Sequence, residues 1–153
     1  MDDELFMKRA VELSAIAVAH GNEPFGAVLV KENKIVFESE NRIYSEHDPT
    51  YHAEIGLIRD YSKKTGITDL SDYTLYSSCE PCFMCSGAII YAKIGRLVYG
   101  ASNKDLNGIL GKSGTDCCKI VFKNKPHAPK VTSGVLKDKC VEILKDYFEK
   151  KRS

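Results

Sequence analysis

The residues in this chain whose types and spacing can do chemistry are His52, Glu54, Cys82 and Cys85. An imidazole and two thiolates are ligands that zinc prefers, and three protein ligands leave the fourth tetrahedral position open for water. A metal in such a site makes hydroxide near neutral pH. Glu54 is then free to move protons to and from that water. The pattern therefore predicts a catalytic zinc site.

A closed structural zinc site is the alternative, because Cys79, Cys82 and Cys85 form a C-x₂-C-x₂-C series that can supply a fourth ligand. However, Cys79 precedes Pro81 and therefore lies outside the predicted helix. A closed site also leaves Glu54 without a task, so we favour the open site. The other three cysteines show no partner spacing and are predicted to be packing or exposed thiols: Cys117, Cys118 and Cys140.

The composition indicates one soluble domain covering residues 1–153, because 43% hydrophobic and 28% charged residues are ordinary values for a globular protein. No apolar run approaches the roughly 18 residues that a membrane span needs, so we expect no membrane association. The acidic start at residues 1–4 lacks the basic-then-apolar order of a secretory signal. We therefore expect a cytoplasmic protein with reduced thiols.

The charge pattern gives little sign of a nucleic-acid partner. The formal net charge is +1, and the basic residues are dispersed apart from a small cluster at residues 150–152. Proteins that depend on phosphate contacts usually carry a basic excess or stripe. We expect the cluster to be a solvated helix end.

The elements that must position the site alternate between helix and strand. Residues 102–130 show weak periodicity, and we expect loops there with one short helix or strand inside. Alternation after an opening hairpin predicts a mixed sheet with helices on both faces. The patterns predict helices at about 3–20, 49–66, 81 to 93 or 95, and 137–151, and strands at about 26–30, 35–37, 73–76 and 96–100.

Both pairs of candidate residues are predicted to lie at helix starts. Pro81 at the first helical position places Cys82 and Cys85 on one face of the first turns. His52 and Glu54 are about 200° apart around an ideal helix and do not share a face. Their helix therefore either meets the metal end-on or begins irregularly, and both alternatives stay open.

Four motifs together resemble the cytidine and deoxycytidylate deaminase superfamily: FGAV at 25–28, DPTYHAE at 48–54, CEPCFMC at 79–85 and GAI at 87–89. They resemble most its branch of guanine deaminases, tRNA adenosine deaminases and fungal-type cytosine deaminases. The resemblance implies a three-layer α/β/α sandwich around a five-stranded mixed sheet, in which the later strands are parallel. It also implies a homodimer formed through helices beside the site.

The same resemblance implies roles for individual residues. His52, Cys82 and Cys85 would hold one Zn²⁺, and Glu54 would shuttle protons between water, a ring nitrogen and leaving ammonia. Asn41 is expected to contact the base, although a turn asparagine is an equal alternative, and Gly26 to let the backbone approach the substrate ring. The residues expected in the substrate pocket are Phe25, Gly26, Asn41, Ala53 and Asp105.

Two features favour different substrates. Asp105 stands where the guanine deaminases place an aspartate that engages the base, although a plain loop aspartate is an equal alternative. Residues 94–101 and 146–148 resemble the bacterial tRNA adenosine deaminases. Their KTGAAGS-like loop, however, is replaced here by NKDLNG at 103–108. We therefore favour guanine, converted to xanthine, over an adenosine in tRNA, with cytosine or a nucleoside third. An inactive zinc-binding module is the alternative from another class, and the presence of Glu54 argues against it.

Overall fold

In the computed structural model, residues 2–152 are described, with side chains for residues 2–150. They form six helices and five strands. The helices are α1 Asp3–Ala19, α2 Ala53–Thr65, α3 Phe83–Ala92, α4 Asn103–Leu110, α5 Cys117–Phe122 and α6 Lys137–Arg152. The strands are β1 Gly26–Lys31, β2 Lys34–Glu40, β3 Thr74–Cys79, β4 Arg96–Ala101 and β5 Lys130–Thr132.

The five strands make one mixed sheet in the order β2-β1-β3-β4-β5. Strand β1 pairs antiparallel with β2 and with β3, whereas β3, β4 and β5 are parallel. The predicted fold class, a three-layer sandwich around a five-stranded sheet with a leading hairpin, is confirmed. Because the carboxyl ends of β3 and β4 meet at one edge, the segments that follow them are placed side by side.

Alternate residues of the strands face opposite layers of helices, as the pleat requires. Ala27, Leu29 and Leu75 pack against one layer, which is formed by α2, α3 and α5. Val28 and Tyr76 pack against the other layer, formed by α1 and α6, and the hydrophobic residues of α4 join its edge. Each face of the sheet is therefore covered by its own apolar cluster.

Three predictions about local structure were wrong. Helix α2 begins at Ala53 and not near Pro49, because Asp48 accepts a hydrogen bond from the Thr50 backbone in a tight turn. Helix α3 begins at Phe83, so Pro81 precedes the helix and Cys82 is its extended N-cap residue. The stretch 102–130 contains two helices and a strand where loops with one short element were expected.

Two further predictions concern membrane association and the basic cluster near the end of the chain. Among the described residues, no helix is both long and apolar enough to cross a membrane. The basic cluster at 150–152 falls at the end of α6, and the side chains of Lys151 and Arg152 lie outside the described residues.

Candidate metal centre

The start of α2 and the start of α3 face each other at the edge where β3 ends. His52 is the N-cap residue of α2 and Cys82 is the N-cap residue of α3, and both have extended backbones. Neither side chain makes a capping hydrogen bond. Helix α2 therefore meets the site end-on, which decides between the two alternatives that the sequence left open.

Three ligand atoms come together between these helix starts. One atom each from His52, Cys82 and Cys85 lies within 4.8 Å of the other two, and His52 Nδ1 is 3.5 Å from Cys82 Sγ. Bond lengths of about 2.0 Å for Zn–N and about 2.3 Å for Zn–S at a tetrahedral angle also give a separation of about 3.5 Å. The donor set and its spacing therefore fit zinc. Cys79 is not a member of this group among the described residues.

The electrostatics of the two thiols differ sharply. The hydrogen bond from Cys85 and the neighbouring His52 outweigh the effect of burial and together lower the pKa of Cys82 to about 4. The same hydrogen bond, together with burial, raises the pKa of Cys85. A metal ion takes thiolates as ligands, so its binding would release the proton that Cys85 shares with Cys82.

Glu54 is the second residue of α2 and is buried, with 5% of its surface exposed. Its pKa is raised to about 7, chiefly by burial and also by the charge of Cys82, while His52 acts in the opposite direction. A carboxyl group with a pKa near 7 can both accept and release a proton close to neutral pH. This is the property that a proton shuttle needs.

A cavity of about 260 Å³ opens onto the candidate metal ligands. Its polar lining includes His52, Glu54 and Cys82 as well as Glu23, Cys79, Glu80 and Asn103. Its apolar lining comes from Phe25, Leu106, Leu110 and Phe148. The cavity therefore combines apolar walls with a few converging polar groups, as small-molecule sites do.

The expected substrate residues Phe25 and Asn41 lie at or beside this cavity. Phe25 lines it, and its carbonyl accepts a hydrogen bond from the Asn41 backbone. Asn41 is buried, and its Oδ1 accepts from the backbones of Glu23 and Ile43. Its Nδ2 has no partner among the described atoms. Asn41 therefore keeps a donor unused. A turn asparagine needs only its amide oxygen, so that role does not account for the unpaired Nδ2 group of Asn41.

Gly26 lacks a side chain for a different reason from the one expected, which was close approach of the substrate ring. A Cβ at this position would collide with the backbone oxygen of Ala10 and would stand 2.7 Å from Leu13 Cβ and from Ser14 N. The missing side chain thus makes room for helix α1. Ala53 is fully buried as the first residue of α2.

Asp105 is not brought together with the other expected substrate residues. Its carboxylate accepts a hydrogen bond from the Ser102 backbone, while the Ser102 hydroxyl accepts one from the Asp105 backbone. This capping box closes the start of α4, and Lys137 lies 3.4 Å from the second carboxylate oxygen. The carboxylate therefore stabilises a helix start, and it does not belong to the cavity lining.

Sequence reasoning missed Glu80 and Asn103, which both line the cavity. Each residue follows the carboxyl end of a parallel strand, within two positions of the last strand residue. Residues at such positions meet at one edge of the sheet, where open α/β sheets bind ligands. That signal was present once β3 and β4 were recognised as parallel neighbours.

Comparison with known proteins places these features in a family. The model of the "Cytidine and deoxycytidylate deaminase zinc-binding region" matches residues 1–101. A tRNA-specific adenosine deaminase of Buchnera aphidicola is 40% identical over 152 residues, covering 98% of this chain and 90% of its own. A guanine deaminase of Bacillus subtilis is 45% identical over 106 residues, covering 69% of this chain and 68% of its own.

A solved structure from a study of A-to-I editing by tRNA:A34 deaminases superposes with a TM-score of 0.78 at 35% identity. It covers 90% of this chain and 97% of its own. The similarity thus extends beyond the metal-binding segments to nearly all of the fold.

Proposed function

We propose that this chain, which belongs to the cytidine and deoxycytidylate deaminase family, converts an adenosine in a tRNA stem-loop to inosine. The family and the matched relatives make it a zinc-type hydrolytic deaminase. One observation carries the choice of substrate. The tRNA-specific relative aligns over 98% of the chain, whereas the guanine deaminase aligns over 69%. The preference for guanine that the sequence suggested is therefore replaced by its alternative.

The position of Asp105 supports this choice. The expectation of guanine depended on a carboxylate that would accept hydrogen bonds from the base. Instead, that carboxylate accepts from the Ser102 backbone and lies beside Lys137. If the Asp105 carboxylate bound a substrate instead, the capping box at the start of α4 would be lost.

A lysine-lined cavity supports an RNA substrate. It has a volume of about 850 Å³, adjoins the catalytic cavity through the shared residue Glu80, and is lined by Lys104, Lys119 and Lys123. None of the three lysines forms an ion pair among the described residues. Residues 104–130 carry six lysines and two aspartates, although the whole chain has a net charge of +1. The basic excess is thus local and lies beside the site, where it can neutralise phosphates.

The roles of the residues follow from their positions. His52, Cys82 and Cys85 would hold zinc, which when bound would supply an activated water nucleophile. Glu54 takes the proton from the attacking water and passes protons to the ring nitrogen and to the departing amino group. The apolar lining of Phe25 excludes bulk water from this transfer. The products are a carbonyl on the base and ammonia.

A direct comparison of substrates tests the proposal. The purified protein is given an anticodon stem-loop, free adenosine, guanine and cytosine, and inosine, xanthine, uracil and ammonia are measured. We expect inosine in the stem-loop. Xanthine formed from guanine, with the stem-loop untouched, would contradict the RNA proposal and leave the deaminase chemistry intact.

The lysine-lined cavity gives the RNA proposal a second test. Binding of the stem-loop is measured across salt concentrations for the Lys104→Gln/Lys119→Gln/Lys123→Gln variant. The slope of log affinity against log salt is negative, and each phosphate contact on a single strand contributes about −0.7 to it. Loss of three contacts should therefore make the slope about 2 less negative. The matched control replaces Lys8, Lys34 and Lys63 and should leave the slope unchanged. Equal slopes for both triple variants would remove this support.

Guanine remains the second candidate function, because the guanine deaminase is 45% identical over its 106 aligned residues, against 40% over 152 residues for the tRNA-specific relative. Under this candidate, Asp105→Ala should reduce guanine turnover far more than zinc content. The RNA proposal expects the same variant to lose stability at α4.

We also propose a homodimer that buries the exposed side of α3. Phe83 and Tyr91 on α3 are 51% and 88% exposed, and Ile120 on the adjacent helix α5 is 57% exposed. Exposed large apolar side chains on two helices in contact are typical of a protein interface. Light scattering at micromolar concentration should give twice the chain mass of 17.1 kDa, and a monomer would contradict the proposal.

A further inference from the structure

Asn103 presents an unused amide to the catalytic cavity. It is the first residue of α4, it is 6% exposed, and it lines the cavity together with His52 and Glu54. Its Nδ2 is buried and has no hydrogen-bond partner among the described atoms. Leaving a buried polar group unpaired is costly, so native proteins rarely do it without a reason.

The fold does not need this amide. The start of α4 is already capped by Ser102 and Asp105. A structural amide in the same protein is treated differently: the Asn22 side chain donates to the Ser45 hydroxyl and accepts from the backbones of Tyr44 and Ser45. Asn22 thus uses both ends of its amide to hold a loop, whereas Asn103 keeps its donor free.

Glu80 fixes the position of Asn103. One oxygen of the buried Glu80 carboxylate accepts from the Asn103 backbone at 3.1 Å. The other oxygen accepts from the backbone and the thiol of Cys118, at 3.4 and 3.2 Å. Among the described residues Glu80 forms no ion pair, so its charge is held by N–H donors at the starts of α4 and α5. Since Cys82 follows two residues later, one carboxylate links the metal-binding segment to the facing wall.

We propose that Asn103 contacts the substrate, donating a hydrogen bond from its side-chain amide to an acceptor atom of the nucleoside being deaminated, and that Glu80 is its positioning residue. This inference rests on the proposed deaminase function. Purine bases carry suitable acceptors, because the ring nitrogens N3 and N7 of adenine each accept a hydrogen bond. The bound substrate would then supply the partner that the Asn103 amide lacks.

The Asn103→Ala variant tests the contact itself. Loss of one buried hydrogen bond should lower kcat/KM by about tenfold to a hundredfold and leave the zinc content at the wild-type level. Asn107→Ala is the matched control, since Asn107 is the same residue type on the same helix but does not line the cavity. The control should stay within about twofold of wild type. An Asn103→Ala variant as active as the control would overturn the proposal.

A double-mutant cycle tests the positioning role of Glu80. Glu80→Gln removes one acceptor and should lower kcat/KM by about tenfold in the wild-type background. If Glu80 acts through the Asn103 side chain, the same change should have less than about a twofold effect once Asn103 is alanine. A purely structural role would give the same effect in both backgrounds, which would overturn the positioning claim. Glu80→Asp, whose carboxylate is withdrawn by one methylene, runs the same cycle if the glutamine variant does not fold.

Binding measurements separate failure of this inference from failure of the proposed function. The probes are a stem-loop with purine riboside at the target position and free 8-azaguanine, each titrated against zinc-loaded wild type and Asn103→Ala. We expect the stem-loop to bind wild type at least tenfold more tightly than the variant. If wild type binds 8-azaguanine alone, the RNA function fails, and a tenfold loss of that binding in the variant still supports Asn103. Equal binding of either probe by both proteins overturns the role of Asn103, and so does binding of neither probe.

Discussion

The starts of four helices divide into two kinds. At α1 the Asp2 side chain accepts from the Leu5 backbone at 3.1 Å, and at α4 Ser102 forms a capping box. At α2 and α3 the N-cap residues are His52 and Cys82, whose side chains make no capping hydrogen bond. A good N-cap contributes about 1 kcal/mol. The two helices at the site therefore forgo a stabilising contact, and their side chains converge on a metal position.

The thiols near the site show the same division. The Cys82 pKa is lowered to about 4, chiefly by the hydrogen bond from Cys85. Burial raises the pKa of the Cys79 thiol at the end of β3, and the charge of Glu54 raises it as well. These two cysteines lie three residues apart and differ in acidity because of their local environments. Of the two, only Cys82 belongs to the group of candidate metal-ligand atoms.

Replacing the metal-binding N-cap residue of α3 by an ordinary capping residue should have the largest effect on zinc binding and activity. Cys82→Asp puts a good N-cap residue at the start of α3 and removes a thiolate ligand. We expect the variant to purify with little zinc and no measurable deamination, while the metal-free protein becomes more stable by up to about 1 kcal/mol. Metal analysis and denaturant unfolding in the presence of chelator check the two halves. Cys79→Ala is the control and should keep its zinc; equal loss in both variants would favour a closed site.

Removing the proton shuttle should come next in size. Glu54→Gln keeps the shape of the side chain and should bind one zinc per chain. Its turnover should fall by about 10²–10⁴-fold, the range of general acid–base catalysis. Turnover within tenfold of wild type would mean that another group moves the proton.

A smaller effect is expected far from the site, where Asp3 at the start of α1 accepts hydrogen bonds from Arg96 and Tyr76. The hydrogen bonds from Arg96 lower its pKa below the usual value of an aspartate. A lowered carboxyl pKa contributes stability that is present above the unfolded-state value of about 3.9 and is lost as the pH falls through the folded-state value.

Asp3→Asn should therefore cost about 1–3 kcal/mol at pH 7 and progressively less below about pH 4. Urea unfolding of both proteins at pH 7 and pH 3 measures the difference. A gap that stays constant between these pH values would show that the charge of Asp3 is not its source.

The smallest effect is expected at the capped start of α4. Ser102→Ala should lower the free energy of unfolding by about 1 kcal/mol, because the Asp105 backbone loses its acceptor. Zinc content should not change. Loss of zinc in this variant would mean that the two kinds of helix start are not independent.

Sequence reasoning predicted the parts of the fold that repeat a simple pattern. Helix α1 and strand β1 were predicted close to their observed bounds, because Gly21 and the polar turn at 31–34 mark where they end. Strand β2 runs to Glu40, three residues beyond its predicted end. The starts of α2 and α3 were placed too early, because His52 and Cys82 are not typical N-cap residues and a proline usually opens a helix. Helix α4 was missed although Ser102 and Asp105 carry a capping signal, because its apolar pattern is short.

The candidate site divides in the same way. His52, Cys82 and Cys85 were identified from residue type and spacing, and the structure brings their ligand atoms together. Asn103 and Glu80 depend on which strands are neighbours, a long-range property that local patterns do not contain. For Asp105 the residue type was misleading. An aspartate suits a base pocket, but here its carboxylate accepts a hydrogen bond from the Ser102 backbone and caps α4.

The coordination of zinc in the wild-type protein tests most directly the claim that the two uncapped helix starts form an open catalytic site. X-ray absorption at the zinc edge counts sulfur and lighter ligands separately. We predict two sulfur ligands at about 2.3 Å and two nitrogen or oxygen ligands at about 2.0–2.2 Å, one from His52 and one from water. Three sulfur ligands with one nitrogen would contradict it, because Cys79 would then close the site and leave no position for water.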